Sequence, residues 1–340
     1  MDTNRKGIFF TAPGKAELLS REVRQPSESE CLVRVDLTLI SAGTEKAQLT
    51  GGVNTINKFP SNHGYSAVGT VISCGRGVTS FHPGDRVFVE RGGHYSHITQ
   101  KASLIHHIPE TVPSEIAVFA RVASFSLAAV RRARLEIGES CAVQGLGMLG
   151  LFGVQFAKIG GAFPVIAIGN REIRKELAVK YGADYVFAPN EDSLIEDIRG
   201  ITERETGIRG AGVTVETSGA EAAFKQALKY SARHGRLMLT GCNREPVSGP
   251  FNLYEDVHKK ALQIIGVHGR TRPQTNSAPG NWTVRRDLIS IFNLMKIGRL
   301  EVNSMISEYC RPRDCPHVYR RLLEDRNFPL GVIFDWRGTC

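Results

Sequence analysis

The chain has 340 residues, of which 41% are hydrophobic and 23% charged, with a formal net charge of +9. That composition places it among globular proteins, with length enough for two cores. No apolar run approaches the ~20 residues that span a bilayer, and Met1-Asp2-Thr3-Asn4-Arg5-Lys6 is not followed by an apolar signal segment, so no membrane is expected and the reading is cytoplasmic. Seven cysteines, odd in number and without a CxxC pair, read as reduced thiols rather than a disulfide framework or a thiolate zinc ribbon. The basic residues are dispersed, with local concentrations only at Arg131-Arg132-Ala133-Arg134 and between 311 and 321. They read as solvated helix faces, and no nucleic-acid partner is expected.

Taken in chain order, the first ~115 residues are β-rich: alternating runs such as 31–40 and turn clusters such as Pro83-Gly84-Asp85 recur, with few helical periods. The texture changes between 114 and 122. The apolar run Cys141-Ala142-Val143 leads into Gly145-Leu146-Gly147-Met148-Leu149-Gly150, which opens an amphipathic stretch at 151–159. The first glycine permits a tight turn, the second lets backbone N–H groups approach a pyrophosphate, and the third lets helix and strand pack closely. Phe152, Phe156 and Ile159 recur at helical spacing, and Pro164-Val165-Ile166-Ala167-Ile168 reads as a buried strand, completing a βαβ unit. Strand-like runs at 185–187, 213–216, 236–239 and 263–267 alternate with helical patterns at 172–181, 192–204 and 220–229, which implies an α/β fold with a doubly wound parallel sheet. A helix at 284–294 and a strand at 331–334 follow. The expected division is a β-rich domain over 1–119, a dinucleotide-binding domain over 120–267, and a segment over 268–340 that rejoins the first domain.

Several segments carry a wider likeness: Ala42-Gly43-Thr44-Glu45, the run from Gly64 to Gly69 with 71–75 behind it, Gly84-Asp85-Arg86-Val87, the glycine fingerprint, Tyr181-Gly182-Ala183-Asp184-Tyr185-Val186, and Gly235-Arg236 leading to Gly241. Over nearly its whole length the chain resembles the medium-chain dehydrogenase/reductase superfamily of the zinc alcohol dehydrogenase type. The resemblance implies a Rossmann sheet beside a GroES-like catalytic domain, a nicotinamide cofactor, a small-molecule substrate and a homodimer paired through the edge strand at 263–267. It also implies a zinc site, and there the chain departs. Ala42 stands at the cysteine ligand, Tyr65 at the histidine, Ser66 at the glutamate and Ala120 at the third ligand, and 89–97 is a cysteine-free loop where members carry a structural metal lobe. Zinc wants thiolate, imidazole or carboxylate, so no metal is expected.

A zinc ion in such enzymes stabilises charge on the reacting oxygen by several kcal/mol. Tyr65 is the first candidate to replace it, as a phenol that donates a proton; the alternative is a tyrosine that fills the vacated volume. Thr44 matches the family's proton-relay hydroxyl, or else caps a turn after Gly43. Glu45 reads as the partner of an arginine, with orientation of Tyr65 or binding of a substrate hydroxyl as the sharper alternative. His63 and His94 lie on cleft loops as candidate bases, solvated in the plainer reading.

An NAD site places an acid about 20 residues past the glycines. Here Gly169 stands in that slot, followed by Asn170 and Arg171, with Arg174 and Lys175 beyond. A guanidinium fits a 2′-phosphate, so NADP(H) is expected over NAD(H). Ser124, Thr217, Ser218, Thr240 and Gly241 fall at family positions that line the nicotinamide and its ribose. The expected activity is zinc-independent hydride transfer between NADP(H) and a polar secondary alcohol or ketone of sugar, cyclitol or natural-product type. Reduction of quinone or enone C=C bonds is the alternative, and a non-catalytic cofactor-binding or RNA-associated protein is the third reading.

Overall fold

The alternating first third of the chain and the helix–strand repeat of the middle separate into two units in the computed structural model, which describes residues 4–243 and 247–339. One unit comprises the chain up to Val122 and from Ile289 onward; the other is Ala123–Leu288. The chain passes from one to the other inside helices.

In the first unit, β1 (Asn4–Ala12) and β2 (Lys15–Glu22) form a hairpin, and β3 (Glu30–Leu39) leads into helix α1 (Ala42–Thr50). The short β4 (Ser61–Asn62) borders β1, and β5 (Ser66–Cys74), β6 (Arg86–Glu90), β7 (His97–Lys101) and β8 (Ile105–His107) follow before helices α2 (Ser114–Ala117) and α3 (Ala120–Ala133). Strand β3 is the spine: it pairs with both β5 and β7, and Val33, Val35, Leu37 and Leu39 are buried along it. Thr44 sits in the first turn of α1, not in the turn-capping role that was its plainer reading.

The second unit runs β9 (Cys141–Gln144), α4 (Met148–Ile159), β10 (Val165–Ile168), α5 (Glu172–Lys180), β11 (Tyr185–Phe187), α6 (Leu194–Thr206), β12 (Ala211–Glu216), α7 (Glu221–Tyr230), β13 (Ser231–Leu239) and β14 (Gln263–Gly266), and α8 (Val284–Lys296) leaves it for the first unit after Leu288. Its six strands are parallel in the order β11-β10-β9-β12-β13-β14. Val143, Ile166 and Ile168 are fully buried, as strands covered by helices on both faces require. This is the Rossmann order, whose direction reverses between β9 and β12.

The chain ends with β15 (Ile306–Cys310), α9 (Cys315–Glu324) and β16 (Gly331–Asp335). Strand β16 runs antiparallel to β3 and parallel to β15, so the last strands complete the sheet built on β3. Trp336, Phe334 and Tyr319 are buried in the same core as Val35 and Val89. Among the described residues no helix is long and apolar enough to cross a membrane.

Candidate active site

Strand β3 ends by delivering Thr38 into the interior, where its hydroxyl accepts a hydrogen bond from Trp336 Nε1 at 2.9 Å and lies 2.7 Å from His94 Nδ1. His94 Nε2 donates to Glu45 Oε2 at 3.1 Å, Tyr319 Oη donates to the same oxygen at 2.6 Å, and the Ser41 backbone N–H donates to Oε1 at 2.7 Å. Glu45 and His94 are each 1% exposed. Burial pushes the Glu45 carboxyl up, but the positive charge of His94 and these three hydrogen bonds outweigh it and hold the group below its ordinary value. Two sequence readings are corrected here. His94 is a buried member of a network and not a solvated loop histidine, and the partners of Glu45 are His94 and Tyr319, not an arginine. Neither Tyr319 nor Thr38 was found by sequence, because α9 reaches Glu45 from 274 residues away.

Tyr65 lies just before β5 and is partly exposed. Its phenol shares a hydrogen bond with the Ser41 hydroxyl and is also bonded by Thr44. Burial pushes its proton affinity up and the Ser41 bond pulls it down; Glu45 raises it, and the charge of Arg121 and the Thr44 bond lower it, leaving it above the usual tyrosine value. The segment 63–65 runs beside 91–94 through backbone hydrogen bonds from Arg91 to Tyr65, Gly93 to Gly64 and His94 to His63. Gly64 has φ +108°, and a Cβ there would lie 2.8 Å from the His94 ring, which is why this approach needs glycine. His63 is half-buried, 2.8 Å from Ser61 Oγ and packed on Phe10; burial lowers its proton affinity, partly offset by Glu45. Thr44, Glu45, His63, Tyr65 and His94 thus share one neighbourhood of the first unit. Ser41 and Arg121 belong to it as well, and neither was a candidate from the sequence.

In the second unit the glycine turn joins β9 to α4. Gly145 has φ +93°, and a Cβ on Gly150 would lie 1.8 Å from the Gly145 carbonyl oxygen, whereas a Cβ on Gly147 would meet nothing within 4 Å. The first two constraints belong to the fold. The third leaves open space at the N-terminus of a twelve-residue helix, between Leu146 and the Met148-Leu149 start, where N–H groups attract an anion. Thr217 Oγ1 donates to the Gly145 carbonyl at 2.6 Å. Ser218 is engaged with the Glu216 carboxylate, Gly241 packs on Gly219, and buried Ser124 accepts Arg272 through its carbonyl. Thr240 Oγ1 is buried without a hydrogen-bond partner among the described residues. At the end of β10 a Cβ on Gly169 would lie 2.7 Å from the Leu146 side chain. Asn170 is exposed, and Arg171 and Arg174 are partly buried; burial and the neighbouring Arg171 bring Arg174 down to about 10.

Residues 27–114 match the alcohol dehydrogenase GroES-like domain and residues 149–280 match the zinc-binding dehydrogenase domain. Together these cover well over half of the chain. It belongs to the medium-chain dehydrogenase/reductase superfamily. L-threonine 3-dehydrogenase of Pyrococcus horikoshii is 29% identical over 340 aligned residues, covering 90% of this chain and 92% of that protein. D-guloside 3-dehydrogenase of Escherichia coli is 26% identical, covering 97% and 100%. A solved structure of a zinc-binding dehydrogenase from Sinorhizobium meliloti, bound to NADP, superposes with a TM-score of 0.82 at 19% identity, covering 98% of this chain and 100% of that one.

As a member of this superfamily the chain is an NAD(P)-dependent oxidoreductase. The open space over Gly147, the helix N-terminus and the unpartnered Thr240 hydroxyl fit a dinucleotide. The family's zinc does not fit: Ala42 and Ala120 offer methyl groups, Tyr65 is committed to Ser41 and Thr44, and Glu45 and His94 are committed to each other. Among the described residues no group of three or more His, Cys, Asp or Glu side chains is arranged to hold a metal ion.

Proposed function

We propose that this dehydrogenase moves hydride between NADP(H) and a polar secondary alcohol or ketone without zinc, with Tyr65 exchanging the proton. The observation that carries the reading is the Tyr65 phenol, held by Ser41 and Thr44 at a position where the family places a metal ligand. The bound nicotinamide supplies or accepts the hydride. In ketone reduction Tyr65 donates its proton to the developing alkoxide, and in alcohol oxidation it takes that proton back. Ser41 and Thr44 fix the phenol's direction, which matters because a positioned acid contributes 10²- to 10⁴-fold, roughly 3–5 kcal/mol. Glu45 and His94 hold the first turn of α1, and with it Ser41 and Thr44, from beneath.

Preference for NADP(H) is supported by Gly169, where Leu146 leaves no room for an acidic side chain, and by the paired cations Arg171 and Arg174 beside Asn170. A polar substrate is supported by the hydroxyls of Ser41 and Thr44 and the imidazole of His63, and by relatives named for dehydrogenating threonine and a guloside at position 3. We also infer a homodimer formed along the free edge of β14.

The test combines turnover, metal content and cofactor titration. Purified protein is screened with NADP+ and NAD+ against polyols, glycosides and hydroxy amino acids, and with NADPH against ketones, enones and quinones, before and after chelation. Alcohol or ketone turnover that survives chelation, with NADP(H) bound at least ~10-fold tighter than NAD(H), about 1.4 kcal/mol, is the expected result. Tyr65→Phe lowers turnover at least ~10-fold with little change in NADPH affinity. Stoichiometric zinc whose removal abolishes turnover, or full activity in Tyr65→Phe, overturns the reading.

A further inference from the structure

Two cysteines that lie far apart in the sequence meet in the first unit. Cys31 is the second residue of β3 and Cys74 the last of β5, and they are direct partners in the antiparallel ladder. Opposed residues of such a ladder have Cα atoms about 4.5 or 5.5 Å apart, inside the window of roughly 4.4–6.8 Å that a disulfide accepts. The Cys74 thiol donates to Cys31 Sγ at 3.2 Å and lies 3.4 Å from the Phe81 carbonyl oxygen. Both residues are free thiols in this structure, and the backbone already holds them at bonding range.

The chain on either side of the pair is fixed. The Gly75 N–H donates to the Glu30 carbonyl at 2.8 Å, and a Cβ on Gly75 would lie 1.9 Å from the Ser27 carbonyl oxygen, so the turn after Cys74 is pressed against the segment before Cys31. The Glu30 carboxylate is held in turn by Arg24 and Ser27. Exposure separates the two sulfurs: Cys31 is 0% exposed, whereas Cys74 is partly exposed. Burial, followed by the Cys74 bond, pushes the Cys31 thiol up to about 12. A solvent-borne oxidant therefore meets Cys74 first, and Cys31 waits behind it as a protonated thiol.

We propose that Cys31 and Cys74 are a peroxide-sensitive thiol pair that closes to a reversible disulfide between β3 and β5, with Cys74 as the reacting thiol and Cys31 as the resolving one. The oxidant is hydrogen peroxide. Cys74 Sγ attacks one peroxide oxygen, the O–O bond breaks, and Cys74 becomes a sulfenic acid while the other oxygen leaves as water. Cys31 Sγ then attacks the Cys74 sulfur, the S–O bond breaks, and the departing hydroxide takes the Cys31 proton as a second water. Two thiols lose two hydrogens in all, and one peroxide is reduced to two waters. A dithiol reverses the link by exchange and is itself oxidised. Contact between the sulfurs offsets the small thiolate fraction of Cys31. The pair lies at the end of the ladder remote from Ser41 and Tyr65: Thr38, which opposes Ala67 at the near end, is roughly 20 Å along β3 from Cys31. The link is therefore a staple that closes the intervening chain into a loop, not a switch on the site.

The test treats the full chain with a small excess of hydrogen peroxide, blocks remaining thiols by alkylation and digests with trypsin without reduction. The expected product joins the peptides 25–34 and 59–76, each holding a single cysteine, with a mass two hydrogens below their sum, and dithiothreitol before alkylation separates them. In Cys31→Ala the sulfenic acid has no resolving partner, so Cys74 proceeds to the sulfinic acid, a gain of two oxygens on the second peptide. The oxidised parent melts at least about 5 °C above its reduced form, a difference absent from Cys74→Ala. Recovery of both cysteines as alkylated thiols at a dose that oxidises the exposed Cys242 overturns the proposal, as does sulfinic acid at Cys74 of the parent in place of the link. A link that forms without raising the melting temperature overturns the role as a staple. Should Cys31→Ala not fold, the peptide map of the parent decides alone.

Discussion

At Glu45 a carboxylate with 1% exposure accepts hydrogen bonds from an imidazole, a phenol and a backbone N–H. Breaking one partner of such a buried pair leaves the other charge uncompensated, so Glu45→Gln is expected to cost about 3–5 kcal/mol in urea unfolding. Tyr319→Phe, which removes one donor and leaves His94 in place, is expected to cost about 1–2 kcal/mol. The pH dependence has a definite sign. The folded-state affinity of Glu45 for its proton is depressed below the ordinary 4.5, so its contribution is fully present above pH 4.5 and is lost as the pH falls through the folded value. The parent protein should therefore lose stability more steeply below pH 4.5 than Glu45→Gln does. Parallel acid limbs for the two would show that Glu45 carries no linked proton. The sequence marked Thr44, Glu45 and Tyr65 as one constellation because each matches a family position. It gave no hint of Tyr319, Trp336 or Thr38, since partners that meet only through the sheet leave no local pattern.

At the scale of elements, the glycine turn separates what the fold needs from what the ligand needs. A Cβ at Gly150 would strike the Gly145 carbonyl at 1.8 Å, so Gly150→Ala forces strand and helix apart and is expected to cost about 1–3 kcal/mol as well as dinucleotide affinity. A Cβ at Gly147 meets no protein atom within 4 Å. Gly147→Ala should then melt within about 1 °C of the parent, a difference under roughly 0.3 kcal/mol, yet bind NADPH at least ~10-fold more weakly because the methyl group occupies the space of the pyrophosphate. Fluorescence titration and thermal melts check both, and unchanged NADPH affinity in Gly147→Ala would remove the phosphates from this turn. The βαβ repeat was legible from periodicity because its strands are continuous apolar runs between amphipathic helices. Helix α1 was not, since Ala42-Gly43-Thr44-Glu45 carries a glycine in its first turn and has no apolar stripe. Strand β13 begins at Ser231, earlier than the expected 236, because the polar run through Gly235 hides its first half and a bulge interrupts its pairing with β12.

At the scale of the whole molecule, the two ends of the six-stranded sheet differ. Strand β11 closes one end with three residues, Tyr185–Phe187, while β14 at the other pairs, among the described residues, with β13 alone and leaves Ile264 37% exposed. An uncovered edge bearing an aliphatic side chain invites pairing with another chain, and two copies joined there would continue the sheet across the interface. Four residues of ladder give few hydrogen bonds, so most of the free energy must come from apolar contact, and a stable pair needs more than about 1,000 Å² of total surface buried. Opposing this, each copy carries a net charge of +9, a repulsion that salt screens over about 8–10 Å at physiological ionic strength. Light scattering should therefore give a mass about twice the 37.3 kDa chain, with dimer gaining on monomer as salt rises from roughly 0.02 to 0.2 M. Ile264→Lys replaces an exposed apolar side chain on this edge with a like charge, and should yield monomer at low salt with thermal unfolding lowered by no more than the lost association accounts for. A parent protein that is monomeric at every salt concentration, or an Ile264→Lys variant that remains dimeric, would place the interface elsewhere or remove it.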